Sequence, residues 1–158
     1  MSNGKINVLF VCEDNAIRSV IAEALLNRFS RERFRVFSCG HQPANEVHAR
    51  TLEMLKLSGL STYNHRPRDL QDFMRDGAPE MDLVIDLCDK PLPRMPGSPI
   101  IANWRITHPI AQARDAKDSA VAFRRTLREL ENRIRLIALL RHPTREERDK
   151  EHEVRHAA

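Results

Sequence analysis

Three short apolar runs constrain the fold of this chain more than any other feature. INVLFVC, FRVFSCG and DLVIDLC are rich in β-branched and aromatic residues and occupy residues 6–12, 34–40 and 82–88. Runs of this length and composition are typical of buried strands, and PIIANW at 99–104 predicts a fourth buried strand. Helix-like segments separate the runs. This alternation indicates an α/β domain whose parallel sheet is covered on both faces.

The helix-like segments carry apolar residues at the helical period. After Arg18 and Ser19, the apolar residues Ile21, Leu25 and Phe29 recur at this spacing and predict the first helix. Further helices are predicted over residues 45–58, 68–74 and 119–140.

Composition and charge exclude several classes of function. Of the 158 residues, 41% are hydrophobic and 30% are charged, and the formal net charge is +4, which favours an anionic substrate. Basic residues alternate with acidic ones along the helices, a pattern of solvated faces that argues against nucleic-acid binding. No apolar stretch suits a signal peptide or a membrane span, so we expect a cytoplasmic protein without membrane contact. One domain is predicted over residues 1–141, followed by a charged, exposed or disordered tail at 142–158.

The three cysteines point to chemistry or packing, and not to cross-links. Their number is odd, and none forms a Cys-x-x-Cys pair, so we expect no disulfide framework and no metal site. Cys12 and Cys88 end predicted strands, and ligands of open α/β sheets bind at the carboxyl ends of strands. Cys39 is expected to be a packing residue.

The segment between the first strand and the first helix has the form of an oxyanion site. Cys12 lies six residues before Arg18, in the stretch CEDNAIRS. Loop amides together with a helix N-terminus create a concave anion site, and an arginine can bind two oxygens of a tetrahedral oxyanion. The same field should lower the pKa of the Cys12 thiol, with a hydrogen bond from Ser19 contributing. The predicted oxyanion-binding residues are Glu13, Asp14, Asn15, Ala16, Ile17, Arg18 and Ser19.

A second segment has the same spacing but not the same context. Cys88 lies six residues before Arg94. Pro91 and Pro93 each remove a backbone N–H that an anion site would use, and no helix follows at once. Only the first loop is therefore predicted to bind an oxyanion.

The residues of the first loop carry a family resemblance. Cys12-x-x-Asn15-x-x-Arg18-Ser19 after VLFV, followed by AEALL, resembles the low-molecular-weight tyrosine phosphatase superfamily, and the segment from Cys88 onward is most similar to its arsenate reductase branch. The resemblance implies a three-layer sandwich with a four-stranded parallel sheet in the flavodoxin-like order 2-1-3-4. It implies that Cys12 is the nucleophile and Arg18 the oxyanion clamp. It further implies a hydrogen-bonded brace formed by Asn15, Ser19, Ser38 and His65.

The chain departs from the family pattern at three places. Glu13 and Asp14 add two negative charges, which we expect to point outward and to weaken oxyanion binding. His108 stands where relatives have the aspartate that acts as general acid, a role a protonated imidazole could fill. Met95 stands where thioredoxin-coupled arsenate reductases have a further cysteine, so Cys88 is the remaining candidate for attack on a Cys12 adduct.

Three functions stay open on this basis. The first is an arsenate-reductase-like enzyme with catalytic residues Cys12, Arg18, His108 and Cys88. It would hold no bound cofactor and would use an external thiol reductant: glutathione with glutaredoxin, mycothiol, or thioredoxin. The second is a tyrosine or small-molecule phosphatase with a Cys12 phosphoenzyme. The third is a catalytically degraded module that binds a phosphate- or arsenate-type oxyanion and serves regulation.

Overall fold

The structure is a computed structural model that describes residues 4–63, 65–111 and 113–157, with the side chain of Arg145 excepted. Four strands form one parallel sheet in the order β2-β1-β3-β4. Their bounds are β1 Ile6–Cys12, β2 Phe34–Gly40, β3 Leu83–Asp86 and β4 Ile100–Asn103. The predicted sheet with order 2-1-3-4 is thereby confirmed. The predicted domain and tail include Met1, Ser2, Asn3, Asn64, Gln112 and Ala158, which lie outside the described residues.

Four α-helices and one 3-10 helix accompany the sheet. The α-helices are α1 Arg18–Ser30, α2 Ala49–Leu57, α3 Ala116–Leu139 and α4 Arg145–His156. The 3-10 helix spans Leu70–Phe73, within the predicted helix at 68–74. The long predicted helix begins three residues early because the Asp115 carboxylate caps it, accepting a hydrogen bond of 2.8 Å from the Asp118 amide.

The two faces of the sheet carry separate apolar clusters because side chains alternate along each strand. On one face, Val8 and Phe10 of β1 pack with α1, α2 and α3. On the other face, Leu9 and Val11 pack with the 3-10 helix and with Met81 and Met95 from loops. The sheet is thus covered on both faces, by three α-helices on one and by a single helical turn with loops on the other.

Two predicted elements differ in the structure. The strand β4 is not buried: Ile100 and Ile101 are 41% and 46% exposed, whereas the other edge strand, β2, is mostly buried because the chain packs over it. The second helix begins at Ala49 and not at residue 45, because the segment before it is hydrogen-bonded to the loop after β1. That contact could not be inferred from the periodicity of the segment itself.

The segment after residue 141 contains α4. Thr144 and Glu147 form a capping box at its start, each side chain bonding the other's backbone. Most of its side chains are exposed. The boundary at residue 141 and the exposed or disordered tail remain predictions. None of the helices among the described residues combines the length and the hydropathy that a membrane span requires.

Candidate oxyanion site

The loop that joins β1 to α1 is held from behind by the segment that follows β2. Four loop carbonyls accept hydrogen bonds of 2.8–3.1 Å from this segment. The pairs, acceptor first, are Cys12–His41, Glu13–Gln42, Asp14–Ala44 and Ala16–His48. Carbonyls engaged on one side leave the loop N–H groups for the other side, as an anion site requires. No sequence pattern predicts this contact, because it joins two separate segments of the chain.

Two backbone features give the loop its tight curvature. Asn15 has φ 51°, in the left-handed region that asparagine tolerates better than most residues. Gly40 lies so close behind the loop that a Cβ there would stand 2.8 Å from the Asn15 amide nitrogen and 2.9 Å from the Glu13 carbonyl oxygen. The glycine at the end of β2 is therefore required by close approach, which sequence reasoning missed.

Cys12 ends β1 and is fully buried. Its Sγ lies 2.9 Å from Ser19 Oγ, and the Ser19 amide also bonds the sulfur. Burial raises the pKa of the Cys12 thiol, while the Ser19 hydrogen bonds and the Arg18 charge act in the opposite direction. The prediction of a lowered pKa is therefore wrong for this structure, because desolvation outweighs the favourable contacts.

Arg18 is the first residue of α1, and its side chain is buried. Its Nη1 donates to the carbonyls of Leu87, at 3.2 Å, and Ile106, at 2.8 Å. These carbonyls belong to the loops that carry Cys88 and His108, so Arg18 joins three loops. Its Nε is buried and has no hydrogen-bond partner among the described residues. An unpaired, buried guanidinium N–H is costly, and an oxyanion oxygen is the partner that would satisfy it.

The predicted brace behind the loop is present for three of its four members. Asn15 Nδ2 donates to Ser19 Oγ at 2.8 Å and to Ser38 Oγ at 3.0 Å. Ser38 in turn donates to the Glu23 carboxylate. The Asn15 side-chain oxygen accepts from the backbone N–H of Arg68 at 2.8 Å. The brace thus links the first loop to β2 and to the segment before the 3-10 helix.

His65 contacts a different part of the chain. Its Nε2 lies 2.9 Å from the Ser61 carbonyl oxygen, and within the described ranges no hydrogen bond joins it to the loop. Arg68 fills that place, since its guanidinium also lies 3.3 Å from the Glu23 carboxylate. Sequence reasoning missed both Arg68 and Glu23, although Glu23 stands within the motif AEALL.

The Asp14 carboxylate turns into the loop, contrary to the expectation that it points outward. Its Oδ1 accepts a hydrogen bond of 3.0 Å from the Ala16 N–H and lies 3.8 Å from Cys12 Sγ. A short carboxylate side chain can bond the amide two residues on, as in an Asx turn, and this local contact is what turns it inward. One N–H of the predicted oxyanion site is therefore engaged by a negative charge from the chain itself.

Glu13 behaves as expected. Its Oε1 forms an ion pair of 2.5 Å with Lys90, which belongs to the loop after β3. The two neighbouring carboxylates therefore have different surroundings: Glu13 is paired with Lys90 at the surface, and Asp14 lies beside the Cys12 thiol.

His108 lies over the same loop. Its Nε2 is 3.6 Å from Asp14 Oδ2, an ion-pair distance longer than a hydrogen bond, and its Nδ1 accepts from the Ile110 amide. The interaction with His108 is the largest cause that lowers the pKa of Asp14. The structure thus places His108 beside the Asp14 carboxylate, which in turn lies 3.8 Å from Cys12 Sγ.

Cys88 lies beyond the end of β3 and lines a cavity of about 480 Å³. Lys90, Arg94 and Arg105 give this cavity a cationic rim, and Met95 lies in its wall. Burial raises the pKa of Cys88 to about 11, and the charge of Asp86 acts in the same direction. All three cysteines are free thiols.

Comparison with known proteins places these features in a family. The family model described as low molecular weight phosphotyrosine protein phosphatase matches residues 7–151. The chain is 27% identical over 109 residues to the glutaredoxin arsenate reductase of Synechocystis sp., covering 67% of this chain and 80% of the relative. It is 28% identical over 108 residues to arsenate reductase 2 of Staphylococcus epidermidis, covering 66% and 79%.

Arsenate reductases are also among the solved structures that resemble this chain. The arsenate reductase of Archaeoglobus fulgidus superposes with a TM-score of 0.66 at 28% identity, over 83% of this chain and 98% of that one. The thioredoxin-dependent arsenate reductase of Corynebacterium glutamicum gives 0.67 at 29% identity, over 87% of this chain and 62% of that one.

Proposed function

Since the chain belongs to the low molecular weight phosphotyrosine protein phosphatase family, we propose that it acts as an arsenate-reductase-like enzyme on a tetrahedral oxyanion at the Cys12 loop. The observation that carries the proposal is the buried Nε of Arg18, which has no partner among the described residues, beside the Cys12 thiol. A bound oxyanion would accept from this N–H and from the loop amides. The arsenate reductases among the relatives favour arsenate as that oxyanion.

The proposed reaction has three steps. The Cys12 thiolate attacks arsenate, the S–As bond forms, and one arsenate oxygen leaves as hydroxide or water. The Cys88 thiolate then attacks the Cys12 sulfur, and the electron pair of the S–As bond leaves with arsenic as arsenite. Arsenic gains two electrons, and the two thiols lose them as a Cys12–Cys88 disulfide. Two external thiols reduce this disulfide and become oxidised in turn.

A small thiol with a glutaredoxin-like partner is the proposed reductant. Met95 lies buried in the wall of the cavity beside Cys88, and its thioether cannot take part in disulfide exchange. Lys90, Arg94 and Arg105 around the same cavity would favour an anionic thiol such as glutathione. The name of the Synechocystis relative, a glutaredoxin arsenate reductase, agrees with this choice, whereas the similar enzyme of Corynebacterium glutamicum is thioredoxin-dependent, so the test includes both reductants.

The test is arsenate-dependent NADPH consumption, coupled once through glutathione and glutaredoxin and once through thioredoxin. We expect turnover in the first system, loss of turnover in Cys12→Ser and in Cys88→Ser, and retention in the matched variant Cys39→Ser. Cys39 is equally buried and lies on the opposite face of the sheet from Cys12. Turnover that survives Cys12→Ser would contradict the proposal.

Two observations favour a second candidate, an oxyanion-binding module without turnover. Asp14 lies inside the loop, and the pKa of Cys12 is raised, so the thiolate is scarce near neutral pH. This candidate predicts calorimetric binding of phosphate or arsenate that needs Arg18 but no reduction of arsenate with any thiol. Turnover above the Cys12→Ser background would exclude it.

A further inference from the structure

Three side chains with metal-ligating atoms meet at the carboxyl edge of the sheet, outside the Cys12 loop. His41 follows β2 directly, Asp86 is the last residue of β3, and Cys88 stands two residues further on. One ligand atom from each lies within 4.8 Å of the other two. Asp86 and Cys88 are buried and His41 is partly buried. His41 is distant in sequence from Asp86 and Cys88, which explains why the cysteine spacing predicted no metal site.

The spacing of the two buried ligands suits a tetrahedral metal ion. Cys88 Sγ lies 3.4 Å from Asp86 Oδ1. Bond lengths of about 2.3 Å to sulfur and about 2.1 Å to oxygen place two tetrahedral ligands about 3.6 Å apart. The Asp86–Cys88 pair therefore has the separation of ligands to zinc before any movement.

The third ligand is a histidine nitrogen without a partner. His41 Nε2 is buried and makes no hydrogen bond within the described part of the chain. An unpaired buried nitrogen is costly, and a metal ion would satisfy it. Tetrahedral ligands to zinc stand about 3.5 Å apart, so ligand atoms within 4.8 Å of one another need only a small approach. The backbone N–H of His41 donates to the Cys12 carbonyl, which holds its main chain in place.

The charges at the cluster also favour a cation. The Cys88 thiol lies within hydrogen-bond distance of the Asp86 carboxylate, to which it donates. A metal ion between the two groups would replace the thiol hydrogen and would be bound by two anionic ligands. The opposing charges are Arg18, whose guanidinium is directed to the carbonyls of Leu87 and Ile106, and the cations at the rim of the cavity.

We propose that His41, Asp86 and Cys88 bind a divalent transition-metal ion of the zinc type. A donor set of one thiolate, one imidazole and one carboxylate is typical of Zn²⁺ and of Co²⁺ as its substitute. Binding releases the thiol proton, no electron is transferred, and the bound ion would compete with the attack of Cys88 on a Cys12 adduct. Because Asp86 and Cys88 line the cavity of about 480 Å³, the fourth coordination position opens to that cavity. A site with three protein ligands and one open position results.

The test is a titration of the reduced, metal-free full chain with Co²⁺, followed by a competition with Zn²⁺. We expect a thiolate-to-cobalt charge-transfer band that Zn²⁺ removes. Cys88→Ser should abolish the band, and His41→Ala should weaken Co²⁺ binding at least about tenfold. Cys12→Ser and the exposed-histidine control His152→Ala should leave both the band and the affinity unchanged.

A second measurement uses the unmodified chain, so that a variant with a folding defect does not decide the result. Mass spectrometry after brief alkylation should show that Zn²⁺ protects Cys88 and leaves the rate at Cys12 unchanged. Protection of Cys12 alone, a charge-transfer band that survives Cys88→Ser, or the absence of binding at micromolar Co²⁺ would each overturn the proposal. None of these readouts depends on arsenate turnover.

Discussion

The loops after β1 and after β3 carry the same Cys-x5-Arg spacing and have opposite surroundings. In the first, Arg18 is buried at a helix start, and the loop carbonyls are engaged from behind. In the second, Arg94 is exposed at the rim of a cavity, and no helix follows. The difference teaches that the spacing alone does not make an anion site. We propose that an anion site also requires backbone amides fixed by a second segment of chain and a buried, partly unpaired arginine.

The largest expected effect tests the two arginines against each other. Arg18→Lys removes a planar group that donates to two loops and presents its Nε to the site. We expect phosphate affinity to fall about ten- to a hundredfold, since hydrogen bonds to charged groups contribute about 1.5–3 kcal/mol. Arg94→Lys is the matched control and should change the affinity less than about twofold. Isothermal titration calorimetry measures the phosphate affinity of both variants. An equal loss in the two would contradict the claim that only the first loop binds the anion.

The next effect tests the support behind the first loop. Gly40→Ala places a Cβ 2.8 Å from the Asn15 amide nitrogen, so the loop must shift. We expect a loss of about 1–3 kcal/mol in the free energy of unfolding together with weaker phosphate binding. Gly77→Ala is the control: its φ of 82° strains an alanine through the backbone, but a Cβ there contacts nothing within 4 Å. Gly77→Ala should cost stability and leave phosphate binding intact. Denaturant unfolding and calorimetry separate the two effects, and unchanged binding in Gly40→Ala would contradict the role of the glycine.

A third effect concerns the two carboxylates within the first loop. Asp14→Asn removes a negative charge 3.8 Å from Cys12 Sγ and frees the site from a competing anion. We expect phosphate to bind at least about tenfold more tightly, in line with about 1–4 kcal/mol of Coulomb repulsion at this distance. Glu13→Gln should change the affinity less than about threefold, because Lys90 already neutralises Glu13. Equal gains in the two variants would show that net charge, and not the position of Asp14, weakens the site.

The sequence was sufficient for the features that depend on neighbouring residues. β1, β2 and α1 follow from apolar runs and helical spacing, and the Cys12 loop follows from its place between a strand and a helix. The inward turn of Asp14 and the exposed position of β4 were not predictable in the same way. The first depends on a rotamer that bonds the Ala16 amide, and the second on how much of the rest of the chain packs over the strand.

The components of the site that the sequence did not predict come from long-range contacts. Arg68 supports Asn15 from a segment 53 residues away, and the carbonyls of the first loop are bonded by residues 41–48. His65 is the opposite case: the motif predicted that it supports the first loop, but it bonds the nearby Ser61 carbonyl. The spacing of a motif describes residues that are close in sequence, whereas tertiary packing determines which distant residues come into contact.

The smallest expected effect concerns the pKa of Cys12 and its control by Ser19. Because burial raises that pKa, the thiolate fraction is small near neutral pH and increases as the pH rises. Ser19→Ala removes a hydrogen bond that favours the thiolate, so the titration midpoint should rise further. The thiolate fraction at about pH 8 should then fall about three- to tenfold, the equivalent of one ordinary hydrogen bond.

Ultraviolet absorbance of the thiolate, taken as the difference between each protein and its Cys12→Ser form, measures this fraction. Ser98→Ala in the second loop is the control. A midpoint that falls in Ser19→Ala would mean that Ser19 accepts from the thiol instead of donating to the thiolate, and the first loop would then lack a feature that separates it from the second.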